Sequence, residues 1–410
     1  RNAPSPHAYI PRRMLCVRTA LRSCSLASPS SSSPRVTSHL PRFVSSRGLK
    51  QQQHQHSTAG SICILGNLLL PHTVHHSVAR RNTTRIMSTT TSTNCFGDGA
   101  EAAPYSFSSA FDSGNGELVS ATPEVLTVRL TEEPFTEKDG RKHFQWFHFR
   151  VTGAGGRNLK VVIANAGEAS YPGGWADYKA FCSADRKTWH RVQSTSYDEA
   201  GGKLVIDLTP VPSDCVHLAY FVPYHYEQHL DLVGRAAAAP DVTHHTLGTT
   251  LDGRPLDCLR FGTPGNWIPE QQFAGTSPED AAAVQKTREG LIPCEAQGGA
   301  KRVVWIIARQ HPGESMASWW MEGFVRRLLD VEDPVARRVL RRAVVYVVPH
   351  MNPDGAIRGH LRTNAAGANL NREWGEPTLA FSPEVLHTRN AMDASGPVDL
   401  MLDVHGDEAE

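Results

Sequence analysis

Between residues 118 and about 226 the chain alternates apolar and polar positions in short stretches, at 126–130, 144–151, 159–163, 203–208 and 216–222. Turn-forming residues separate them at 153–156, 172–174 and 201–202. A period of two gives each stretch one face for a core and one for water, and regularly spaced short strands with turn punctuation predict a small antiparallel β-sandwich. The region lacks the density of His, Cys and acidic residues that chemistry requires. Its expected role is therefore to pack on the domain that follows.

After about Thr246 the rhythm changes. Val303-Val304-Trp305-Ile306-Ile307-Ala308 is a continuous apolar run of strand length. Met316, Trp319, Trp320, Phe324 and Leu328 then recur at helical spacing, ahead of a polar helix around 335–342 and two further apolar strands at 344–348 and 398–404. Strands buried on both faces and alternating with helices predict an α/β domain around a mostly parallel sheet, with functional groups at the carboxyl ends of its strands. Trp319 and Trp320 are expected in the core. The pairs Arg326-Arg327 and Arg341-Arg342 are expected on exposed helix faces.

Composition changes this picture mainly at the amino end. Residues 1–97 hold twelve Lys or Arg and no Asp or Glu, with a serine run at 30–33 and a Gln/His tract at 51–56. Such a segment buries too little apolar surface to offset chain entropy, so residues 1–100 are expected to form a disordered Ser/Arg-rich leader. Two meanings compete for it. One is an organellar transit peptide; the other, favoured here together with a cytoplasmic location, is a dispensable tail ahead of a start at Met87. Beyond residue 97 there remain 30 basic and 41 acidic residues, a charge of −11, which gives no support for a nucleic-acid partner. The eight cysteines show no CxxC and no paired spacing, and read as free thiols. The longest apolar stretch near the start, 62–70, is too short to span a membrane, and no membrane partner is expected.

Candidate chemistry enters at His311-Pro312-Gly313-Glu314, between the strand ending near Ala308 and the helix opening near Ser315. A tight turn there can aim one imidazole and one carboxylate at a common point, as zinc needs, with ligand distances of about 2.0–2.2 Å. The His-x-x-Glu spacing is weak by itself, and it recurs as His405-Gly406-Asp407-Glu408. Only the first copy lies between a strand and a helix. The second follows a strand, so His405 reads as a single ligand and Glu408 as incidental.

Gln310-His311-Pro312-Gly313-Glu314-Ser315, Asn352-Pro353-Asp354-Gly355, Arg358-Gly359-His360-Leu361-Arg362, Asn369-Leu370-Asn371-Arg372-Glu373-Trp374 and Asp403-Val404-His405-Gly406 follow one another in this order. The set resembles the zinc carboxypeptidases of the M14 type, most of all the cytosolic carboxypeptidase branch, which carries a β-sandwich before its catalytic domain. The resemblance covers roughly residues 105–410. It implies a zinc carboxypeptidase-like mixed sheet with flanking helices, truncated at the C-terminus. Residues 101–240 would form the sandwich domain and 241–410 the N-terminal part of the catalytic domain. It implies His311, Glu314 and His405 as ligands of one zinc ion per chain, Arg362 as the group that polarises the scissile carbonyl, and Asn371 and Arg372 as the holders of the substrate's terminal carboxylate. Physical chemistry agrees with each role. A planar guanidinium binds a carboxylate in a forked way that Lys cannot, a second Arg beside the metal can stabilise an oxyanion, and zinc brings the pKa of water to about 7.

The implied activity is removal of a C-terminal residue from a peptide or protein tail, with glutamate the residue suggested by the cytosolic branch. That family's general base is a glutamate well beyond the third ligand. The chain ends at Glu410, five residues after His405, so the base is expected to lie outside it, the fragment is not expected to turn over, and neither Glu408 nor Glu410 is assigned the role. Two rivals stand beside this reading. An aspartoacylase-like N-acyl amino acid amidohydrolase shares the arrangement but typically carries its extra β-structure after the zinc domain. A catalytically degenerate peptide-binding scaffold would be expected to have lost ligands. Arg358, His350 and His360 flank the same loops and read as structural.

Overall fold

The computed structural model describes residues 103–137, 140–262 and 301–407, together with the backbone of 14–19. Most of the segment expected to be disordered, with Met87 and the Gln/His tract, lies outside the described residues, as do Glu408 and Glu410. Six leader residues do take a regular form: β1 (Met14–Thr19) pairs in parallel with the last strand of the chain.

The β-rich part comprises β2 (Ser106–Ser108), β3 (Glu117–Ala121), β4 (Val125–Arg129), β5 (His148–Thr152), β6 (Leu159–Ile163), β7 (Phe181–Ser183), β8 (His190–Arg191), β9 (Thr195–Asp198), β10 (Lys203–Leu208) and β11 (Cys215–Ala219). They form two five-stranded sheets, ordered β3-β4-β6-β10-β9 and β2-β5-β11-β7-β8. Every pairing is antiparallel except β4 with β6, which is parallel. Alternation works as expected: Leu159, Val161 and Ile163 are buried while Lys160 is exposed. They share one core with Phe149, Val151, Val216 and Leu218 from the other sheet.

The predicted strand at 144–151 begins only at His148. The residues before it are buried, but their backbone groups go elsewhere. Phe144 N donates to Ser170 Oγ at 2.8 Å and Ser170 N donates to the Phe144 carbonyl at 2.9 Å, while the Gln145 side chain holds the same loop, its Oε1 accepting from Tyr171 N at 2.8 Å. Buried backbone polar groups must be paired, and here a neighbouring loop replaces a ladder.

The second part runs α1 (Tyr226–Ala237), β12 (Val242–Thr249), β13 (Pro255–Phe261), β14 (Arg302–Ala308), α2 (Ser315–Leu329), α3 (Pro334–Arg342), β15 (Ala343–Val348), α4 (Pro353–Ile357), α5 (Pro383–Ala394) and β16 (Leu400–Gly406). Its sheet is ordered β1-β16-β14-β15-β13-β12. The first four strands are parallel neighbours, and β13 and β12 add on antiparallel. The sheet is therefore mixed. Helices cover both faces, which is why its central strands read as unbroken apolar runs. Ile306 and Ala308 pack with Ala317, Met321 and Val325 of α2, whereas Trp305 and Ile307 pack with Val385 and Met392 of α5. Trp305 and Tyr346 stand opposite each other on β14 and β15 and stack with centroids 4.7 Å apart.

Asp333 caps α3 by accepting from Val335 N and Ala336 N ahead of Pro334. The expectation that Trp319 lies in the core fails. It is 39% exposed, at the boundary with the β-rich part, with Nε1 donating to the Val222 carbonyl at 3.2 Å. Trp320 is partly buried and stacks on Phe324. Cys182, Cys215 and Cys258 are free thiols, and no helix among the described residues is long and apolar enough to cross a membrane.

Candidate active site

Because β14, β15 and β16 are parallel, their carboxyl ends open on one edge of the sheet. His311 lies three residues past β14, and His405 stands near the end of β16. Arg309 makes the bend between β14 and His311, at φ 62°, a left-handed conformation uncommon outside glycine. Its guanidinium is buried and donates from Nε to the Pro312 carbonyl at 2.6 Å and from Nη1 to Ser318 Oγ at 2.9 Å. Burial pushes that guanidinium down to about 10. Gly313 completes the turn: its N donates to the Leu361 carbonyl at 2.8 Å, and a Cβ there would stand 2.9 Å from that oxygen. No side chain fits so close a backbone approach.

The turn brings His311 and Glu314 to His405, so that one ligand atom from each lies within 4.8 Å of the others, all three residues being buried. Glu314 is bridged by the two imidazoles, with Oε1 2.7 Å from His311 Nδ1 and Oε2 2.9 Å from His405 Nδ1. The far ring nitrogens are also engaged. His311 Nε2 lies 3.1 Å from Asn369 Oδ1, and His405 Nε2 lies 2.8 Å from Asp403 Oδ2. An acceptor behind each Nε2 can hold the ring proton there, which would free the Nδ1 lone pair for a cation that displaces the Nδ1 hydrogen bonds to Glu314. Two Nδ1 atoms and a carboxylate within 4.8 Å of one another suit a divalent cation, and two imidazoles with one carboxylate are a zinc-type donor set.

Electrostatics follow the same geometry. Burial pushes the Glu314 carboxyl up, but the His311 charge and hydrogen bonds from both imidazoles outweigh it and hold it well below the usual carboxylate range. For His405, burial disfavours the charged ring, yet Asp403 and Glu314 outweigh it and raise its pKa to about 10.

Asp403 and Gln310 belong to the same motifs, and the sequence alone assigns them no role. Alternation along β16 places Asp403 on the same face as His405, and its Oδ2 also accepts from Gln310 Nε2 at 2.6 Å. Gln310 Oε1 in turn accepts from Trp374 Nε1 at 2.9 Å. An i, i+2 spacing of Asp and His on a strand is the signal that could have singled out this pair. Replacing Asp403→Asn is expected to lower metal affinity about 10- to 100-fold, as loss of an orienting partner does. Competition with a chelator reads this directly, and unchanged affinity would deny Asp403 an orienting role.

The remaining predicted residues lie in the loops after α4. Asn371 Nδ2 is 3.4 Å from His405 Nε2, and Arg372, which is exposed, donates from Nη1 to the Asn371 carbonyl at 3.0 Å. Arg362 is half-buried in the loop that touches Gly313 through Leu361. Arg358 pairs with Asp252 at 2.6 Å, a structural role. His360 Nδ1 faces the Thr363 carbonyl at 3.0 Å, and His350 packs edge-on against His229; neither is in the His311, Glu314, His405 cluster.

Comparison with known proteins finds relatives for both parts of the chain. The cytosolic carboxypeptidase N-terminal domain family matches residues 107–221, and the zinc carboxypeptidase family matches residues 228–406. A metallo-carboxypeptidase structure from Burkholderia cenocepacia superposes with a TM-score of 0.63 at 41% identity, covering 75% of this chain and 71% of that one. A metallo-carboxypeptidase from Pseudomonas aeruginosa, solved with (2-guanidinoethylmercapto)succinic acid, gives 0.61 at 37% identity, covering 74% and 70%. An uncharacterized protein of Zymomonas mobilis is 44% identical over 300 residues, 73% of this chain and 67% of its own length. Mouse cytosolic carboxypeptidase 4 is 26% identical, and the match spans 73% of this chain but 27% of that much longer protein. Both parts of the chain, the β-rich sheets and the mixed sheet with its His-x-x-Glu turn, therefore belong to the M14 metallocarboxypeptidase family, in its cytosolic carboxypeptidase-like branch.

Proposed function

We propose that the protein is a zinc-dependent carboxypeptidase that removes C-terminal residues from peptides or protein tails, with glutamate as the first side chain to test. One observation carries the reading: the inward convergence of His311, Glu314 and His405, with Asn371 and Arg372 beside them. The three residues would hold one zinc ion per chain. The chemistry a bound zinc supplies is Lewis acidity and activation of water near neutral pH.

The chain's own side chains do the rest. Arg372 presents a planar fork at the exposed rim, suited to a free terminal carboxylate, while the Asn371 amide adds donors next to His405. Together they would select exopeptidase cleavage, because an internal peptide bond offers no such anion. Arg362 would donate to the oxygen of the scissile carbonyl as negative charge develops there. The β-rich part would serve as an accessory domain and the part from α1 to β16 would supply the metal site, in the cytoplasm.

The test is an assay on the full-length gene product, pairing metal content with amino-acid release from peptides ending in Glu, Lys or Phe. About one zinc per chain and release from free C-termini are expected. Cleavage of N-acyl amino acids without any release from peptides would move the enzyme to an amidohydrolase.

A further inference from the structure

A buried carboxylate of the β-rich part binds the proposed active-site loop. Glu133 is buried in the segment after β4, 228 to 230 residues away in sequence from the groups it binds. Its Oε1 accepts from Leu361 N at 2.6 Å and from Arg362 N at 2.9 Å, and its Oε2 accepts from Thr363 N at 2.8 Å and Thr363 Oγ1 at 2.6 Å. Three consecutive backbone amides and one hydroxyl thus point at a single side chain. Charge-assisted hydrogen bonds of this kind are about twice as strong as neutral ones, and burial strengthens them further.

Neighbouring contacts fix the same loop from the same side. Ser113 N donates to the Ile357 carbonyl at 3.0 Å, and Asn115 Nδ2 donates to the Gly359 carbonyl at 2.9 Å. Gly359 itself has φ 72°, and a Cβ there would stand 2.4 Å from the Gly114 carbonyl, so glycine is needed for the two backbones to meet. On its far side the loop touches the metal-site turn, where the Leu361 carbonyl accepts from Gly313 N. The amide that carries Arg362 is therefore held between Glu133 and the turn bearing His311 and Glu314.

We infer that Glu133 is a positioning residue for the reaction: the accessory part, through this carboxylate, fixes the backbone from which Arg362 reaches the substrate carbonyl. This rests on the proposed role of Arg362. A donor aimed at developing charge must be held in place before reaction, and a displacement of about 1 Å can cost about 100-fold in rate. Gln at this position keeps the shape but removes the charge and turns an NH2 group toward a donor. Asp keeps the charge but retracts the acceptor.

The experiment is a double-mutant cycle on the full-length, metal-saturated enzyme, with Glu133→Gln and Glu133→Asp each made alone and with Arg362→Ala. Turnover is expressed per metal-loaded chain, and thermal unfolding is followed for each variant. Each single Glu133 variant is expected to lose about 10- to 100-fold in kcat with KM little changed. In the Arg362→Ala background the same substitution should cost no more than about twofold, the margin within which independent effects add. An equal loss in both backgrounds, or a loss that only follows the unfolding temperature, would make Glu133 domain glue and overturn the inference. Full turnover in both Glu133 variants would overturn it too, and a normal kcat in Arg362→Ala alone would instead sink the proposed function on which it stands.

Discussion

Replacing His311 by alanine is expected to abolish both metal binding and catalysis, and Glu314→Gln to do nearly the same. In the wild-type site two inward Nδ1 atoms flank one carboxylate, and each imidazole is locked from behind by Asn369 or Asp403. Removing one imidazole leaves two donors and a buried Glu314 facing an unfilled side. Converting Glu314 to the amide keeps the volume but removes the only inward negative charge of the set, which a dication needs. Loss of the metal forfeits several kcal/mol of transition-state charge stabilisation, a fall in kcat/KM of about 10³-fold or more. Metal analysis and kinetics on the same preparation check this. A metal-free His311→Ala enzyme with wild-type turnover would contradict it.

The second large effect is expected at Arg362. Arg362→Ala should retain the metal, because no ligand is touched, and should lower kcat about 10²- to 10³-fold, the typical cost of deleting one donor to a developing oxyanion. Arg362→Lys should recover only part of the loss, since an ammonium on a flexible stem lacks the planar fork. KM should change less than kcat, because the terminal carboxylate remains with Asn371 and Arg372. Steady-state kinetics with one peptide series separates the two parameters. A rise in KM with kcat intact would move Arg362 to ground-state binding.

Local pattern made some elements legible and hid others. The strand at 159–163 and the strand at 203–208 read off their alternation, and the helix of α2 off its apolar spacing. The hairpin β12–β13 and helix α1 were not anticipated, because buried polar groups break the periodicity there. Asp257 is buried and engages His229 at 2.8 Å and His244 at 2.7 Å, so a strand that lies inside the sheet reads as polar. In the site, His311, Glu314 and His405 were legible through the ordered motifs and the family they resemble, because the His-x-x-Glu spacing alone is weak. Glu133 was not. It sits in the plain run Thr131-Glu132-Glu133-Pro134, and its meaning comes only from amides more than two hundred residues away. Arg309 was hidden for a similar reason, as its backbone bend and buried guanidinium appear only once the turn is closed.

The most direct test of the central claim is anomalous scattering at the zinc edge from crystals of the full-length protein. The account predicts one strong peak per chain, bounded by His311 Nδ1, Glu314 and His405 Nδ1. A peak elsewhere in the chain, or none in protein purified with zinc present, would contradict it.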